Sequence, residues 1–247
     1  MAKQSLCKKK WQLIYVKNSV FKQDGDFISF ENLKQRVYTE ISASIPGNAE
    51  IDLVAADKME DPFYADNHGK RENEYLHYFY YTTFVCDDIT AKKHMVFEGI
   101  DTFADIYLND EKIGSSDNML IPHEFDVSNK IKSGENRLLV HIKPTVIEAR
   151  NYPISAHEWA QKYNFESLYV RKAPHMFGWD ICPRIVSAGI WRPVYIKDVK
   201  EDRITEFYCY TSSVDPKTNR ANLYFMFNTA VSADEITDYK LHVKGVS

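Results

Sequence analysis

The stretch "DTFADIYLNDEKIG", residues 101–114, decides the class of fold. Ala104, Ile106 and Leu108 fall on one side of an extended chain, and Asp105, Tyr107 and Asn109 on the other, because successive side chains of a strand point to opposite faces. Asn109-Asp110 then reads as a hairpin turn leading into Lys112-Ile113-Gly114. Outward from this hairpin the chain keeps the same habit. "YLHYFYYTTFVC" (75–86) is aromatic and β-branched, "ENRLLVHIKP" (135–144) puts Leu138, Val140 and Ile142 on one side, and "RPVYIKDV" (192–199) closes the region as a strand. Residues 27–44 carry short alternating runs, such as "RVYTEISASIPG", ending at Pro46-Gly47. Strands of this length separated by turns predict an antiparallel sandwich rather than βαβ units.

Helical pieces are few. "NAEIDLVAADK" (48–58) predicts a brief helix with Ile51, Leu53 and Val54 turned inward. "PTVIEARNYPISAHEWAQKYN" (144–164) predicts one or two short helical segments split by Pro153. "EDPFYADNHGKRENE" (60–74) is rich in loop-forming residues and reads as a loop, with Asn73-Glu74 in its solvated, charged end. Around Lys200 the composition turns charged in "VKEDRITE" (199–206), which reads as a linker. Three strands follow in "ITEFYCYTS", "ANLYFMFNT" and "YKLHVKGV", the first two joined by a turn at "DPKTNR". Three strands do not easily close a core, so the division is residues 1–200 and 201–247, the second being the first part of another β-domain.

The 247 residues are 44% hydrophobic and 27% charged, which is ordinary for a globular chain. A net charge of −4 gives no global basic field for nucleic acid, and no apolar stretch is long enough to span a bilayer. The N-terminus lacks an apolar leader segment. That implies a cytoplasmic location if Met1 is the natural start, and a periplasmic or secreted one if a leader has been removed. Cys7, Cys86, Cys182 and Cys209 are far apart, without metal-ligand spacing, and read as reduced, mostly buried thiols. The eight histidines are scattered, and His141 reads as an outward or satisfied strand residue rather than a base. No phosphate-cradling glycine loop, zinc-protease motif or nucleophile elbow is present. No metal and no cofactor is expected.

One segment resists the strand pattern: "HMFGWDICPRIVSAGIWRPV" (175–194), with Trp179 beside Asp180, then Trp191, broken by Pro183 and Gly189. A sugar ring stacks its C–H face on an indole and donates hydroxyl hydrogens to a carboxylate. At an irregular corner Trp179 and Asp180 can reach one pocket, with Arg184 holding the carboxylate by a bidentate pair. The same residues also fit a plain structural role, with Trp179 and Trp191 in the core and Asp180 capping a turn. The pattern alone leaves both readings open.

Three stretches, "IPGNAEIDLVAADKMEDPFYADN" (45–67), "FEGIDTFADIYLNDEKIGSSDNMLIPHEFDVSNKIKSGENRLLVHI" (97–142) and "YVRKAPHMFGWDICPRIVSAGIWRPVYI" (169–196), resemble the N-terminal region of glycoside hydrolase family 2, most closely its β-mannosidases. The resemblance spans roughly residues 40 to 200, in the family's order. It implies an all-β chain: a jelly-roll, galactose-binding-domain-like sandwich, then the beginning of an immunoglobulin-like sandwich. A downstream (β/α)₈ barrel would carry two catalytic glutamates. The family's Gly-Trp-Asp-Trp-Gly-Pro motif falls on Gly178-Trp179-Asp180-Ile181-Cys182-Pro183, with departures at Ile181 and Cys182. Glu50 stands where the mannosidase pattern has His. The resemblance implies that Asp180 hydrogen-bonds sugar hydroxyls in the −1 subsite, with Trp179 shaping that wall.

The expected substrate-binding residues are therefore Asp180, Trp179 and Arg184, with no catalytic residue in the chain. The family places its acid/base in an Asn-Glu dipeptide, and the only one here is Asn73-Glu74, in a loop. The expected partners are a β-linked sugar, a mannoside or a relative, and the downstream barrel. A free-standing carbohydrate-binding module, a purely structural domain, and the equivalent part of a β-galactosidase or β-glucuronidase are the competing readings.

Overall fold

The computed structural model describes residues 3–24, 29–36, 38–66, 69, 71–160, 164–231 and 242. The chain divides into two units, Met1–Asp198 and Val199–Ser247.

Unit 1 is built on two antiparallel sheets. The larger contains β2 (Trp11–Lys17), β3 (Thr39–Ala43), β4 (Leu76–Cys86), β6 (Ala104–Leu108), β7 (Glu111–Ser116) and β9 (Gly134–Ile142), in the spatial order β3-β2-β4-β9-β6-β7. The smaller contains β1 (Lys3–Ser5), β5 (Lys93–Phe97), β8 (His123–Asp126) and β10 (Val194–Asp198), in the order β1-β10-β5-β8. The main core joins them: Leu13, Tyr80, Ile106 and Val140 from the larger sheet pack in one cluster with Met95, Phe97, Val194 and Ile196 from the smaller. The hairpin in the opening stretch forms as its residues require. Ala104, Ile106 and Leu108 are buried, Leu108 pairs with Glu111, and Asn109 and Asp110 both take positive φ, the backbone twist that a two-residue connection demands.

The lack of alternation in "LHYFYYT" has a physical reason: β4 is buried on both faces. Tyr78 and Tyr80 enter the main core, while Phe79 and Tyr81 join a second cluster with Ile14, Val16 and Leu139. That outer layer is closed by Phe21 of helix α1 (Asn18–Asp24) and Leu33 of α2 (Phe30–Gln35). It also contains two buried histidines. Nε2 of His77 lies 3.0 Å from Oδ1 of Asn18, and Nδ1 lies 2.8 Å from Nε2 of His141. Asn18 accepts from His77 Nε2–H, so His77 Nδ1 accepts from His141 Nε2–H. His77 is thereby neutral, burial disfavours the charged form of His141, and His141 is inward rather than outward.

Burial, with help from Lys143 and Lys22, pushes His77 down to about 4. Between that value and the ordinary 6.5 the unfolded chain binds more protons than the fold, so stability falls as pH drops through this window. A His77→Gln variant should shrink the stability lost between pH 7 and pH 4 by about 3 kcal/mol relative to the parent, read by urea unfolding at both pH values. An unchanged difference would mean that the ring does not titrate out of the fold.

Helix α3 (Ala49–Ala55) lies elsewhere on unit 1, rotated from the sequence expectation. Leu53 is buried, Val54 is half-buried and Ile51 is 61% exposed. The inward face carries Ala49, Glu50, Asp52 and Leu53 instead. Local hydrogen bonds fix this rotation. Asn48 caps the helix by accepting from Ile51 N–H at 2.9 Å, Ala49 N–H donates to the Ala188 carbonyl at 2.8 Å, and Asp52 accepts from Ser44 N–H at 3.0 Å. After β9 come two short pieces, α4 (Thr145–Glu148) and a 3₁₀ turn at Ala149–Asn151, which both precede Pro153 rather than being split by it.

Among the described residues unit 2 shows one hairpin, β11 (Arg203–Asp215) with β12 (Arg220–Ala230). Its reversal ends at Asn219, which has φ 51°. Phe207 and Phe225 pack their rings at a tilt, and Phe207, Tyr208, Tyr224 and Met226 are exposed among the described residues. The strand expected at 239–246 lies, apart from His242, outside the described residues.

Candidate functional site

The segment that broke the strand pattern forms a narrow reversal closing on itself. Ile185 N–H donates to the Met176 carbonyl at 3.0 Å, and inside that rung Trp179 N–H donates to the Cys182 carbonyl at 3.0 Å. Gly178 supplies φ +99° at the point where the chain leaves the 3₁₀ turn Pro174–Phe177, a backbone position costly for other residues. The reversal puts Trp179, Asp180 and Ile181 at its tip. Trp179 is 50% exposed, Ile181 is 90% exposed, and Asp180 is exposed. Trp179 is therefore not a core residue. Trp191 is half-buried, donating from Nε1 to the Met119 carbonyl at 3.2 Å under the Arg192 guanidinium.

Arg184 fixes the base of this reversal, and here the sequence expectation is corrected. Its bidentate partner is Glu74, not Asp180. Nε and Nη2 donate to the two Glu74 oxygens, both at 2.7 Å, while Nη2 also reaches Glu166 at 2.5 Å and Nη1 reaches Asn164 Oδ1 at 2.9 Å. Glu74 is accordingly buried in the 3₁₀ turn Arg71–Tyr75, not solvated in a loop as its polar neighbours implied. Glu74 and Glu166 both sit against one guanidinium. A guanidinium bonded to both occupies the place a sugar would need, which is the wrong arrangement for an acid/base and nucleophile pair. Arg184 thus positions the reversal, and its side chain is buried.

Beside the reversal lies a cavity of about 660 Å³, between α3, the 61–63 loop and residues 175–187. Its walls are largely apolar, and Glu50 and Ser187 both line it. Glu50 is only 6% exposed and accepts from Ser187 Oγ at 2.8 Å. Burial pushes its carboxyl up to about 7, against the pull of the Ser187 bond and of Lys172. Lys172, fully buried, binds both oxygens of Asp101 and the Ser187 carbonyl at 2.6 Å. Gly189 lets this layer close: it bridges to Asp101, and a Cβ there would stand 2.6 Å from the Gly47 carbonyl oxygen.

Asp101 and Lys172 drew no notice in the sequence, Glu50 was marked only as a departure from the mannosidase pattern, and Glu74 only as half of a solvated Asn-Glu dipeptide. Each is charged, and each becomes a site residue only through a partner distant in the chain. A weak signal was present at Glu50, which shares a helix face with Leu53 after an Asn cap. Cys182 lines the cavity half-buried; of the four free thiols only Cys86 is buried, so the expectation of mostly buried cysteines fails. Among the described residues no cluster of His, Cys, Asp and Glu is arranged to hold a metal.

The raised Glu50 carboxyl has a measurable consequence. The fold holds its proton up to about pH 7, whereas the unfolded chain releases it near 4.5, so this group's contribution fades as pH rises through that window. Glu50→Gln should therefore gain about 3 kcal/mol relative to the parent on going from pH 4.5 to pH 8, read by chemical unfolding. A pH-independent difference would place an ionised carboxylate in the cavity at all pH values.

Residues 28–192 match the family model described as the glycosyl hydrolase 2 galactose-binding domain-like domain. The chain belongs to that family. β-Mannosidase B of Thermothelomyces thermophilus is 29% identical over 194 residues, which are 73% of this chain and 22% of the relative. β-Mannosidase B of Aspergillus clavatus is 32% identical over 162 residues, 62% of this chain and 19% of that protein. Among solved structures, β-D-mannosidase from Dictyoglomus thermophilum superposes with a TM-score of 0.73 at 27% identity, over 93% of this chain and 26% of its own. The exo-chitosanase of Amycolatopsis orientalis shares the fold with a TM-score of 0.62 at 16% identity. The glycosyl hydrolase 2 domain described here thus spans about a fifth to a quarter of the length of these relatives.

Proposed function

We propose that this chain is the N-terminal, non-catalytic portion of a β-mannosidase-like glycoside hydrolase. Residues 1–200 form its jelly-roll domain and residues 201–247 the start of an immunoglobulin-like domain. In the whole protein the first domain packs on a downstream catalytic barrel and completes the −1 subsite for a β-linked sugar. Asp180 accepts hydrogen bonds from sugar hydroxyls, Trp179 offers an indole face beside it, and Arg184 positions the reversal that carries both. The observation that supports this best is the exposed Trp179–Asp180 tip on a buried ionic base. A carboxylate kept at the surface on so constrained a support is suited to meeting something outside the domain.

Hydrolysis of a β-glycoside with retention needs two carboxyl groups about 5–5.5 Å apart with room for the sugar between them. Glu74 and Glu166, which meet on one guanidinium, have Arg184 in that space. This chain incubated with a fluorogenic β-mannoside should give no turnover above buffer, and its indole fluorescence should respond to mannose only weakly, because one wall does not enclose a ring. Turnover would overturn the non-catalytic assignment. Tight oligosaccharide binding by the chain alone would replace it with a free-standing binding module.

A further inference from the structure

The cavity beside the reversal has a composition that the sugar-wall role does not use. Ile51, Val54, Pro62, Phe63, Met176 and Ile185 give it apolar sides, and its volume lies within the range of small-molecule sites. Phe63, 78% exposed, stands at its edge. Within these sides is the buried Glu50 carboxyl, oriented by Ser187. Lys172, the cation that acts on Glu50, is already committed to Asp101. An ionised Glu50 is therefore one negative charge beyond what the interior compensates.

We propose that this cavity binds a small molecule with an apolar body and a primary ammonium group, the ammonium pairing with Glu50. The body replaces water on the aliphatic and aromatic walls. The head supplies the positive charge that the Glu50–Ser187–Lys172–Asp101 cluster lacks. A neutral ligand of the same shape gains only the first contribution. Where Glu50 is protonated beforehand, the exchange is balanced: carboxylic acid and ammonium give a carboxylate–ammonium pair, and one proton leaves for solvent. The other ionisable groups at the cavity are Asp61, which accepts from Phe63 N–H at 2.9 Å, His175 and the Cys182 thiol. Asp61 reinforces attraction for a cation, and a protonated His175 opposes it.

The test uses the 247-residue chain with 2-phenylethylamine and its neutral counterpart 2-phenylethanol, titrated by calorimetry. At pH 8 the amine should bind roughly tenfold or more tightly than the alcohol, as befits a charge-assisted bond in an apolar site. Glu50→Gln should erase that preference while leaving alcohol binding in place. Below the Glu50 pKa, amine affinity should fall about tenfold per pH unit, with a binding heat that varies with the ionisation enthalpy of the buffer as it takes up the released proton. Val54→Phe, which fills the cavity and keeps the carboxyl, should block both probes, and it decides the matter if the Glu50 variant does not fold. Asp180 does not line the cavity, so Asp180→Ala should leave amine binding intact, which separates this site from the sugar wall. Equal affinity for the two probes, an amine preference that survives Glu50→Gln, or no binding of either up to about 10 mM would overturn the proposal.

Discussion

A Lys172→Met variant should lose about 3–5 kcal/mol of stability, because the substitution leaves Asp101 charged and unpaired in the interior. Lys172 and Asp101 are both buried, and the ammonium serves both carboxylate oxygens and the Ser187 carbonyl. Methionine fills much the same volume, so the loss reports charge rather than a cavity. For a domain of this size the melting temperature should drop by roughly 6–20 °C. The double variant Asp101→Leu, Lys172→Met removes both charges and should recover most of that loss, since a buried pair replaced by apolar residues is often neutral. A single variant that melts within about 2 °C of the parent would mean that water reaches the pair. The cluster also touches the cavity. Without Lys172 the Glu50 carboxyl loses one of the influences that hold its pKa down.

The second large effect concerns catalysis in a polypeptide that carries this chain together with a family barrel. There Asp180→Ala should lower kcat/KM on a β-mannoside by about 10²–10³-fold, equivalent to about 3–4 kcal/mol, the combined worth of two hydrogen bonds to a charged acceptor. The melting temperature should stay put, because Asp180 is exposed at a loop tip. Asp180→Asn, which keeps one acceptor and the shape, should fall between. Arg184→Ala provides the contrast. It strands Glu74 in the interior and so should cost stability and activity together. A loss under threefold in Asp180→Ala would remove this residue from the sugar wall.

Several strands were legible from their faces, although β2 and β5, both largely buried, carried no pattern that was read as a strand. The alternation at Ala104, Ile106 and Leu108 gave a face, and the unbroken aromatics of β4 marked a strand covered on both sides. The tip residues Trp179 and Asp180 were legible too, because nothing in a sheet explains them. Their support was not. Glu74 looked solvated among "GKRENE", and only contact with Arg184, 110 positions away, buries it. Helix α3 misled for a related reason. A periodic count treats Ile51 as core and Glu50 as surface, but the Asn48 cap, the Ala188 carbonyl and Ser187 set its rotation the other way. Polar groups that sit inside because another polar group meets them leave almost no trace in local pattern.

The link from Arg184 to Glu74 has a practical meaning for anyone recombining such proteins. A crossover anywhere between those two positions separates a clamp from its anchor, even when the transplanted loop is copied letter for letter. Chimeras that exchange residues 175–187 should therefore inherit the donor's residue 74 as well, or the graft will keep its lettering and lose its shape.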